Sequence, residues 1–441
     1  MTLFGIDEAV VTSLTAGVRP AAAAPGEEQS ADARPADAEL TSARPSDPGE
    51  VFARAAWTTI AEPGDGVAGA VVGLLGAAAA LRSVVEAWPP DRLAGTLTDS
   101  VDEHEAGDPA GLRPELEQAL ARWRPRLSST EVIRSLQQAR RTGTALLLPS
   151  DPLWPGAVDD LGRHAPLALW WRGQPDALAA LRHSIALVGA RAATGYGEHV
   201  AMEAAAGLVD RGLAIVSGAA YGIDGMAHRS ALASNGTTVA FLAGGVDRFY
   251  PSGHDALLTR IVEAGAVLSE LPCGAPPTKW RFLQRNRLIA ASSAATVVLE
   301  AGWRSGSLNT AGHAAALGRP LGAVPGPVTS PTSAGCHRLL RDYDAICVTS
   351  AAEMAELIGL GVDLELDVPG AAGRDAEGTV PRERTSDQVR VFDALSVRAP
   401  RVAADIARRS GLSTVAVLGA LGTLDLEGSV RERATGWVRV T

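Results

Sequence analysis

From Ser184 onwards the chain repeats one pattern: a short apolar run, a turn that contains glycine, and an amphipathic helix of about a dozen residues. This order of elements is the sequence form of βαβ units, in which helices join parallel strands. The runs are apolar at nearly every position, as expected for strands buried on both faces. They predict a doubly wound, mostly parallel sheet of the α/β class. The strand candidates are Ile185–Val188, Ala214–Ser217, Thr238–Leu242, Ala266–Leu268, Thr296–Leu299, Leu321–Val324 and Ala345–Val348.

Changes in composition divide the rest of the chain. Residues 18–49 are dominated by Ala, Pro, Glu, Asp and Ser, which bury too little apolar area to offset the entropy of ordering. We therefore expect residues 1–49 to form a disordered acidic extension. Ala- and Leu-rich patterns predict a small helical domain at residues 50–140, ahead of an α/β domain at residues 141–358. Pro, Gly, Asp and Glu return at residues 359–385, which we interpret as a linker.

Residues 386–441 are predicted to form a winged helix, because three helices followed by a hairpin are typical of that motif. The predicted third helix, Ser413–Leu426, contains no Lys or Arg, so it is poorly suited to reading a major groove. Arginines on the wing could contact phosphate, and a protein-binding role stays equally open. The predicted elements are Asp387–Leu395, Val402–Arg409, Ser413–Leu426 and Val430–Val440, with wing arginines Arg431, Arg433 and Arg439.

The charge of the chain is unevenly distributed. The formal net charge is −10, yet residues 1–120 hold 20 acidic and 7 basic side chains, so the remaining residues carry a net charge of +3. Three widely spaced cysteines suggest neither a disulfide framework nor a zinc ribbon. No signal peptide is evident, and the longest apolar stretch, Val67–Leu81, is too short to span a bilayer. We therefore expect a cytoplasmic protein with no membrane partner.

Three predicted strands lead into loops of small and polar residues, Gly189–Gly197, Ser217–Asp224 and Glu300–Thr310. In an open parallel sheet, ligands bind beyond the carboxyl ends of the strands, where helix N-termini attract anions. The first loop matches neither GxGxxG nor GxxxxGK[ST], so the dinucleotide fingerprint and the ATP-binding P-loop are both missing. The three loops together predict a groove that accepts phosphate.

The only lysine of the chain, Lys279, begins a segment of four cations and two aromatic residues, Lys279–Arg287. A cation can neutralise a phosphate while a flat ring stacks on an unpaired base, so this mixture suits a nucleic-acid single strand. The alternative is a helix face with core aromatics and arginines whose stems cover apolar surface. The position of the segment beside the three loops favours the first interpretation.

Asp224 and His228 are spaced four residues apart on the helix that follows the second predicted loop. Such a pair could serve general acid–base catalysis, or a carboxylate could orient a structural histidine. The structural interpretation is favoured, because no nucleophile and no set of metal ligands accompanies the pair.

The loops and the basic segment together resemble the DNA-processing protein A family, also called DprA or Smf. The similarity covers residues 151–358. The matching motifs are Val188–Arg191, Thr194–Gly197, Ser217–Asp224, Ala227-His228, Gly245–Asp247, Tyr250-Pro251, Ser269–Pro272, Phe282–Ala290, Glu300-Ala301, Ser305–Leu308 and Val324–Gly326.

The resemblance implies a Rossmann-like protein that binds single-stranded DNA, protects it during natural transformation and loads the RecA recombinase onto it. It also implies a homodimer formed through the Rossmann-like domain, no cofactor and no enzymatic activity. By resemblance, Arg191 and Lys279 meet phosphates and Phe282 meets a base, while Arg285 and Arg287 extend that surface. The other candidate nucleic-acid-binding residues, including backbone and hydroxyl donors, are Ser217, Gly218, Ala219, Asn286, Ser305, Gly306 and Ser307.

Two other functions are compatible with parts of the sequence. A nucleotide-processing Rossmann enzyme of the phosphoribohydrolase type would carry a PGGxGT-like loop with a catalytic glutamate, but this chain has Trp303–Leu308 there and Glu300 upstream. A transcription regulator would act through the winged helix, whose third helix lacks cations. Neither function accounts for Lys279–Arg287 beside three small-residue loops.

Overall fold

The computed structural model describes residues 4–19, 47–99, 109–359, 386–397, 399–410, 412–426, 428–433 and 435–440. Contacts divide the chain into two units, residues 1–364 and 365–441. The predicted linker at 359–385 lies outside the described residues except for Gly359.

A nine-stranded sheet forms the centre of the first unit, in the order β1-β2-β6-β5-β4-β3-β7-β8-β9. The pairs β1–β2 and β2–β6 are antiparallel, and the other pairs are parallel. The predicted fold class is therefore confirmed, and all seven predicted strands are present. The strands are β1 (Ala145–Leu147), β2 (Leu169–Gly173), β3 (Ser184–Gly189), β4 (Ala214–Ser217), β5 (Thr238–Phe241), β6 (Ala266–Ser269), β7 (Ala295–Glu300), β8 (Leu321–Ala323) and β9 (Ile346–Cys347).

Helices cover both faces of this sheet because alternate strand residues point to opposite sides. In β3, Ile185 and Leu187 belong to one hydrophobic cluster, whereas Ala186 and Val188 belong to another. The helices of the α/β body are α8 (Pro175–Ala179), α9 (Gly195–Val209), α10 (Ile223–Ala233), α11 (Asp255–Ala264), α12 (Lys279–Ser292), α13 (Ser307–Ala316), α14 (Ala334–Asp342) and α15 (Ala351–Glu356). The cluster with Ile185 and Leu187 includes residues of α9, α10 and α15, and the cluster with Ala186 and Val188 includes residues of α12, α13 and α14.

The helices that precede the sheet share a hydrophobic cluster with it. Trp57 and Trp123 pack edge to face, and the indole N–H of Trp170 on β2 donates to Thr58 Oγ1 at 3.1 Å. These helices are therefore attached to the antiparallel edge of the sheet. They are α1 (Glu8–Ala16), α2 (Pro48–Ile60), α3 (Gly66–Leu75), α4 (Ala77–Val85), α5 (Pro90–Asp99), α6 (Pro109–Trp123) and α7 (Ser129–Arg141).

The prediction that residues 1–49 are disordered is wrong at both ends of that range. Asp7 caps α1 by accepting from the Ala9 N–H at 2.8 Å, and Val11 and Val18 are buried. The Leu146 N–H donates to Val18 O at 2.7 Å, so this segment is held against β1. The mean composition concealed the few apolar residues of 4–18, and α2 already begins at Pro48. Residues 20–46 lie outside the described residues.

None of the helices in the described ranges is by itself long and apolar enough to cross a membrane. Together, α3 and α4 have the length and the apolar composition of a membrane span, but the chain bends by 113° between the two helices.

The second unit has the predicted order of three helices and a hairpin, which confirms the winged helix. Its core contains Val391, Ile406, Val417 and Leu421. Its elements are α16 (Ser386–Ala394), α17 (Ala403–Ser410), α18 (Thr414–Leu426), β10 (Val430–Arg433) and β11 (Gly436–Arg439).

The spacing of Asp224 and His228 puts them on one face of α10, but they do not bond to each other in the structure. Asp224 accepts from backbone N–H groups, and His228 bonds to a threonine hydroxyl. Thr238 Oγ1 donates to Ile215 O at 2.9 Å, so His228 Nδ1, at 2.7 Å from that hydroxyl, must carry the proton and donate to it. Burial, together with the smaller effects of the charges on His254, Arg285 and Arg229, lowers the pKa of His228 to about 3. The imidazole is therefore neutral and structural at neutral pH.

The buried His228 should make the stability of the first unit depend on pH. Its folded pKa lies below the unfolded value, so the unfolded state takes up the proton first and stability is lost as pH falls from about 6.5 towards 3. We expect this residue to account for a loss of about 2 kcal/mol between pH 7 and pH 5. The free energy of unfolding in urea measures this loss, with His228→Gln as the control that lacks it. Parallel pH profiles for wild type and variant would contradict the assignment.

Candidate nucleic-acid interface

A cleft of about 450 Å³ opens beyond the carboxyl ends of β3 and β7. Its walls are the loop after β3, the side of α12, and the turn that leads from β7 into α13. This is the edge at which the sequence predicted a groove. The residues that line it are Val188, Gly189, Ala190, Arg191, Ala192, Ala220, Asp224, Phe282, Leu283, Arg285, Asn286, Ile289, Gly302, Arg304, Ser305, Gly306, Ser307 and Thr310.

One face of α12 forms a wall of the cleft. Phe282, Asn286 and Ile289 recur at a spacing of three to four residues, so they lie along one side of the helix. Lys279 is the first residue of α12, one turn before Phe282, and its side chain is exposed. Thr278 begins the helix by accepting from the Arg281 N–H at 3.3 Å. Lys279 therefore lies on the same helical side as Phe282, one turn before it, but it is not among the residues that line the cleft.

Cations and a second ring surround the half-buried ring of Phe282. The guanidinium carbon of Arg191, an exposed side chain, lies 5.1 Å from the ring centroid, and that of Arg285 lies 5.7 Å away. The Tyr250 ring is tilted against it at 5.7 Å and is itself 51% exposed. The structure therefore brings together an aromatic ring and an exposed cation, in reach of the solvent in the cleft.

Arg285 supports this arrangement from inside the protein. Only 5% of the residue is exposed, and its guanidinium donates to Gly218 O at 2.7 Å and to Phe241 O. Burial lowers the pKa of Arg285 to about 10, while the charge of Asp224 opposes that change. The side chain thus stays charged at neutral pH, and its Nε and Nη1 groups bond to the protein. Arg285 lines the cleft although little of it is exposed, so its contact with nucleic acid stays a prediction.

Burial also affects Asp224, the carboxylate that balances Arg285. Desolvation raises the pKa of Asp224, although the charge of Arg285 and hydrogen bonds from the Ala220 and Gly218 N–H groups act in the opposite direction. The carboxylate accepts from Gly218 N at 3.2 Å and from Ala220 N at 3.4 Å. Asp224 therefore holds the loop after β4 in place.

Arg287 lies away from the cleft. It is 3% exposed and forms two hydrogen bonds of 2.6 Å with the Glu270 carboxylate. Its guanidinium also donates to His164 O at 2.9 and 3.1 Å. A buried, bidentate ion pair has no donor left for a phosphate. The expectation that Arg287 contacts nucleic acid is therefore wrong.

The predicted donors of the β4 loop are also used within the protein. The Ser217 hydroxyl donates to Leu187 O at 2.7 Å, the Gly218 N–H is taken by Asp224, and Ala219 O accepts from His254 at 3.0 Å. All three residues are buried and none lines the cleft. The expectation that Ser217 and Gly218 offer donors to a ligand is therefore wrong, and no contact within the protein tests the expectation for the Ala219 N–H.

The turn Ser305–Ser307 lies at the cleft, as the sequence predicted. The two serine hydroxyls are 2.7 Å apart, and Gly306 is the N-cap of α13 without a side-chain cap. The first turn of α13 contains no acidic residue, so the positive end of the helix dipole is not neutralised there. Asn286 joins this turn to α12 by donating to Asn309 Oδ1 at 3.2 Å. These groups could receive an anion.

Sequence reasoning missed Tyr250, Arg304 and Thr310 as part of this region. Tyr250 occurs in a motif noted above, but its contact with Phe282 depends on how the loop after β5 folds back. Arg304 is exposed and lines the cleft beside Gly302. The sequence signal that could have identified Arg304 is its position in the small-residue loop Glu300–Thr310.

Glu300 would be the candidate catalytic carboxylate of a phosphoribohydrolase-like enzyme, but in the structure it holds loops together. It is buried at the end of β7 and accepts from Thr194 N at 2.9 Å, Thr194 Oγ1 at 2.7 Å and Thr332 Oγ1 at 2.7 Å. It does not line the cleft. The carboxylate thus joins the loops after β3 and β8 and does not face a substrate site.

Comparisons with known proteins agree with this architecture. The family model for DNA recombination-mediator protein A matches residues 145–359, and the DprA winged helix domain matches residues 375–436. A putative DNA processing protein DprA of Mycobacterium tuberculosis is 46% identical over 313 residues, which is 68% of this chain and 78% of the relative. Protein Smf of Escherichia coli is 40% identical over 205 residues, which is 46% of this chain and 54% of the relative.

A solved structure is similar as well. The X-ray structure of DNA processing protein A from Streptococcus pneumoniae has a TM-score of 0.52 and 26% identity, covering 70% of this chain and 97% of that one. The alignment with the mycobacterial relative spans most of that protein. This chain therefore belongs to the DprA/Smf family of DNA-processing proteins.

Proposed function

We propose that the cleft binds single-stranded DNA. The observation that carries this proposal is the placement of Phe282 between exposed Arg191 and the cleft-facing turn of α12 that starts at Lys279. A ring can stack on a base only where the base is unpaired, so the ring selects single strands over duplex. The adjacent cations neutralise the phosphates of the same strand.

A second anion-attracting feature supports the same proposal. The N-terminus of α13, whose first turn contains no acidic residue, and the exposed Arg304 line the wall of the cleft formed by the β7 loop. Helix N-termini and arginines are common phosphate ligands. We therefore expect the backbone of the strand to run between α12 and α13, with bases turned towards Phe282. Sequence preference should be slight, because stacking does not read base edges.

No catalytic step is part of this proposal. The two buried carboxylates nearest the cleft, Asp224 and Glu300, are held by hydrogen bonds within the protein. We propose a binding protein that needs no cofactor, in preference to a phosphoribohydrolase-like enzyme. Family membership supports this choice, since the matched relatives are named for DNA processing.

The exposed cations should contribute to affinity in a salt-dependent way. We expect Arg191→Ala and Lys279→Ala each to weaken binding to a single-stranded oligonucleotide about tenfold, the effect of removing one charged hydrogen bond. The slope of log affinity against log salt should fall by about 0.7 for each phosphate that the variant no longer neutralises. Mobility-shift titrations at two salt concentrations measure both quantities.

Arg182→Ala is the matched control for these variants. Arg182 is exposed and precedes β3, so it lies at the opposite edge of the sheet. We expect its affinity and salt slope to equal those of wild type. Wild-type affinity in both cleft variants would contradict the proposed phosphate contacts.

We further propose that the protein is a cytoplasmic homodimer that protects incoming DNA in natural transformation and loads RecA onto it. The match to a recombination-mediator family supports this role. We expect the purified protein to speed RecA assembly on a single strand, and Lys279→Ala to lose that effect. If adding the wild-type protein leaves the rate of RecA assembly unchanged, the proposed loading of RecA is contradicted. A solution mass near the monomer value of 45.4 kDa would contradict the dimer.

A further inference from the structure

A second groove, with a volume of about 800 Å³, lies between α12 and the helices that precede the sheet. We call it the Trp280 groove. It is separated from the cleft by α12 itself, because Trp280 and Gln284 line the groove whereas Phe282 and Asn286 line the cleft. Its lining residues are Ile60, Glu62, Pro63, Gly64, Asp65, Gly66, Val67, Glu115, Gln118, Ala121, Arg122, Trp123, Pro125, Arg126, Arg163, His164, Trp280 and Gln284.

The most prominent group in this groove is the indole of Trp280, which is 58% exposed. A large ring left in water forgoes the burial that stabilises most tryptophans. Gln284, one turn later on α12, shares the groove with it. The position of Trp280 thus offers an aromatic platform to a ligand.

Two of the three acidic side chains that line the groove are paired with arginines. Glu62 binds Arg126 and Arg281 at 2.5 and 2.9 Å, and Asp65 binds Arg122 at 3.2 Å. Burial raises the pKa of Glu62, but the hydrogen bonds from Arg281 and Arg126 outweigh burial and leave that pKa below its ordinary value. Glu62 thus remains ionised at neutral pH, and arginines balance the charge of both carboxylates.

The remaining charges of the groove nearly cancel. Arg163 is exposed on one wall, and Glu115 is an exposed carboxylate on another. A nearly neutral groove with a free ring suits the uncharged face of a nucleobase better than a row of phosphates. Arg163 is available to a single phosphate that accompanies the base.

The first turn of α12 lies between the groove and the cleft, since Trp280 lines the groove and Phe282 lines the cleft. Lys279 begins that turn and lies next to Trp280 in the chain, and it shares the helical face of Phe282. A helix is about 10 Å across, a distance that about three nucleotides cover at the roughly 3.4 Å spacing of one strand. A strand leaving Phe282 can therefore pass Lys279 and reach Trp280.

We propose that Trp280 is a second base-stacking subsite for the same single strand, occupied by nucleotides that extend beyond the cleft. This inference rests on the proposed binding of single-stranded DNA at Phe282. The subsite recognises the flat face of any base, so it adds affinity and length dependence without adding sequence preference.

Oligonucleotides of different length distinguish binding at the cleft from binding at the Trp280 subsite. An oligothymidine of about four nucleotides is long enough for the cleft alone, and one of about twelve reaches both subsites. We expect Trp280→Ala to bind the short strand as wild type does and the long strand about tenfold more weakly, the effect of removing one stacked base. Phe282→Ala should weaken binding to both strands. Fluorescence anisotropy of labelled strands measures these affinities.

Tyr343→Ala is the control for removal of an exposed ring. Tyr343 is 37% exposed and lines neither the cleft nor the groove, so its affinities should equal those of wild type. Thermal unfolding should show that Trp280→Ala is folded, since the ring it removes is mostly in solvent.

The outcomes distinguish the subsite from the cleft. If Trp280→Ala binds the long strand like wild type while Phe282→Ala does not, the subsite is refuted and the cleft stands. Equal losses of affinity on short and long strands would also refute it, because Trp280 would then act through the cleft. A wild-type protein that binds neither strand would overturn both proposals.

Discussion

The buried guanidinium of Arg285 fixes the geometry on which the cleft depends. It joins three elements by donating to carbonyls at the ends of β4 and β5 from its position on α12. Asp224 balances its charge and holds the β4 loop by two N–H groups. A buried charge is costly unless it is paired and hydrogen-bonded, so these partners must be present together. The position of Phe282 above Arg285 follows from this network.

The side chains of α12 have different roles because a helix turns its residues to different sides. Phe282 and Asn286 line the cleft, Arg285 is buried at its inner wall, Arg287 is buried away from it, and Trp280 lines the second groove. A segment of nine residues thus supplies surface, structural support and a separate aromatic platform. Arg287 anchors the helix to Glu270 and His164, which lie at the ends of other elements. The exposed groups gain their fixed positions from these buried ones.

Sequence patterns predicted the parallel strands well because each is an apolar run followed by a turn and a helix. They did not predict β1 and β2, which pair antiparallel at one edge and are not followed by a long amphipathic helix, since α8 after β2 has only 5 residues. The helix α1 was missed because its few apolar residues lie next to a long polar segment. The two arginines of the Arg285–Arg287 motif could not be distinguished from Lys279 in the sequence. Their burial depends on partners 17 to 67 residues away, at Glu270 and Gly218.

The contribution of Phe282 to base recognition tests the central claim most directly. The decisive measurement uses strands of about four nucleotides, which are long enough for the cleft alone. It is the ratio of affinities for a normal single strand and for an abasic strand of equal length, in wild type and in Phe282→Ala. Stacking contributes about 1–3 kcal/mol per base, so wild type should prefer the strand that carries bases by about tenfold or more. This preference should disappear in Phe282→Ala, while binding to the abasic strand stays nearly unchanged. An equal preference in both proteins would show that the ring does not contact a base and would contradict the account.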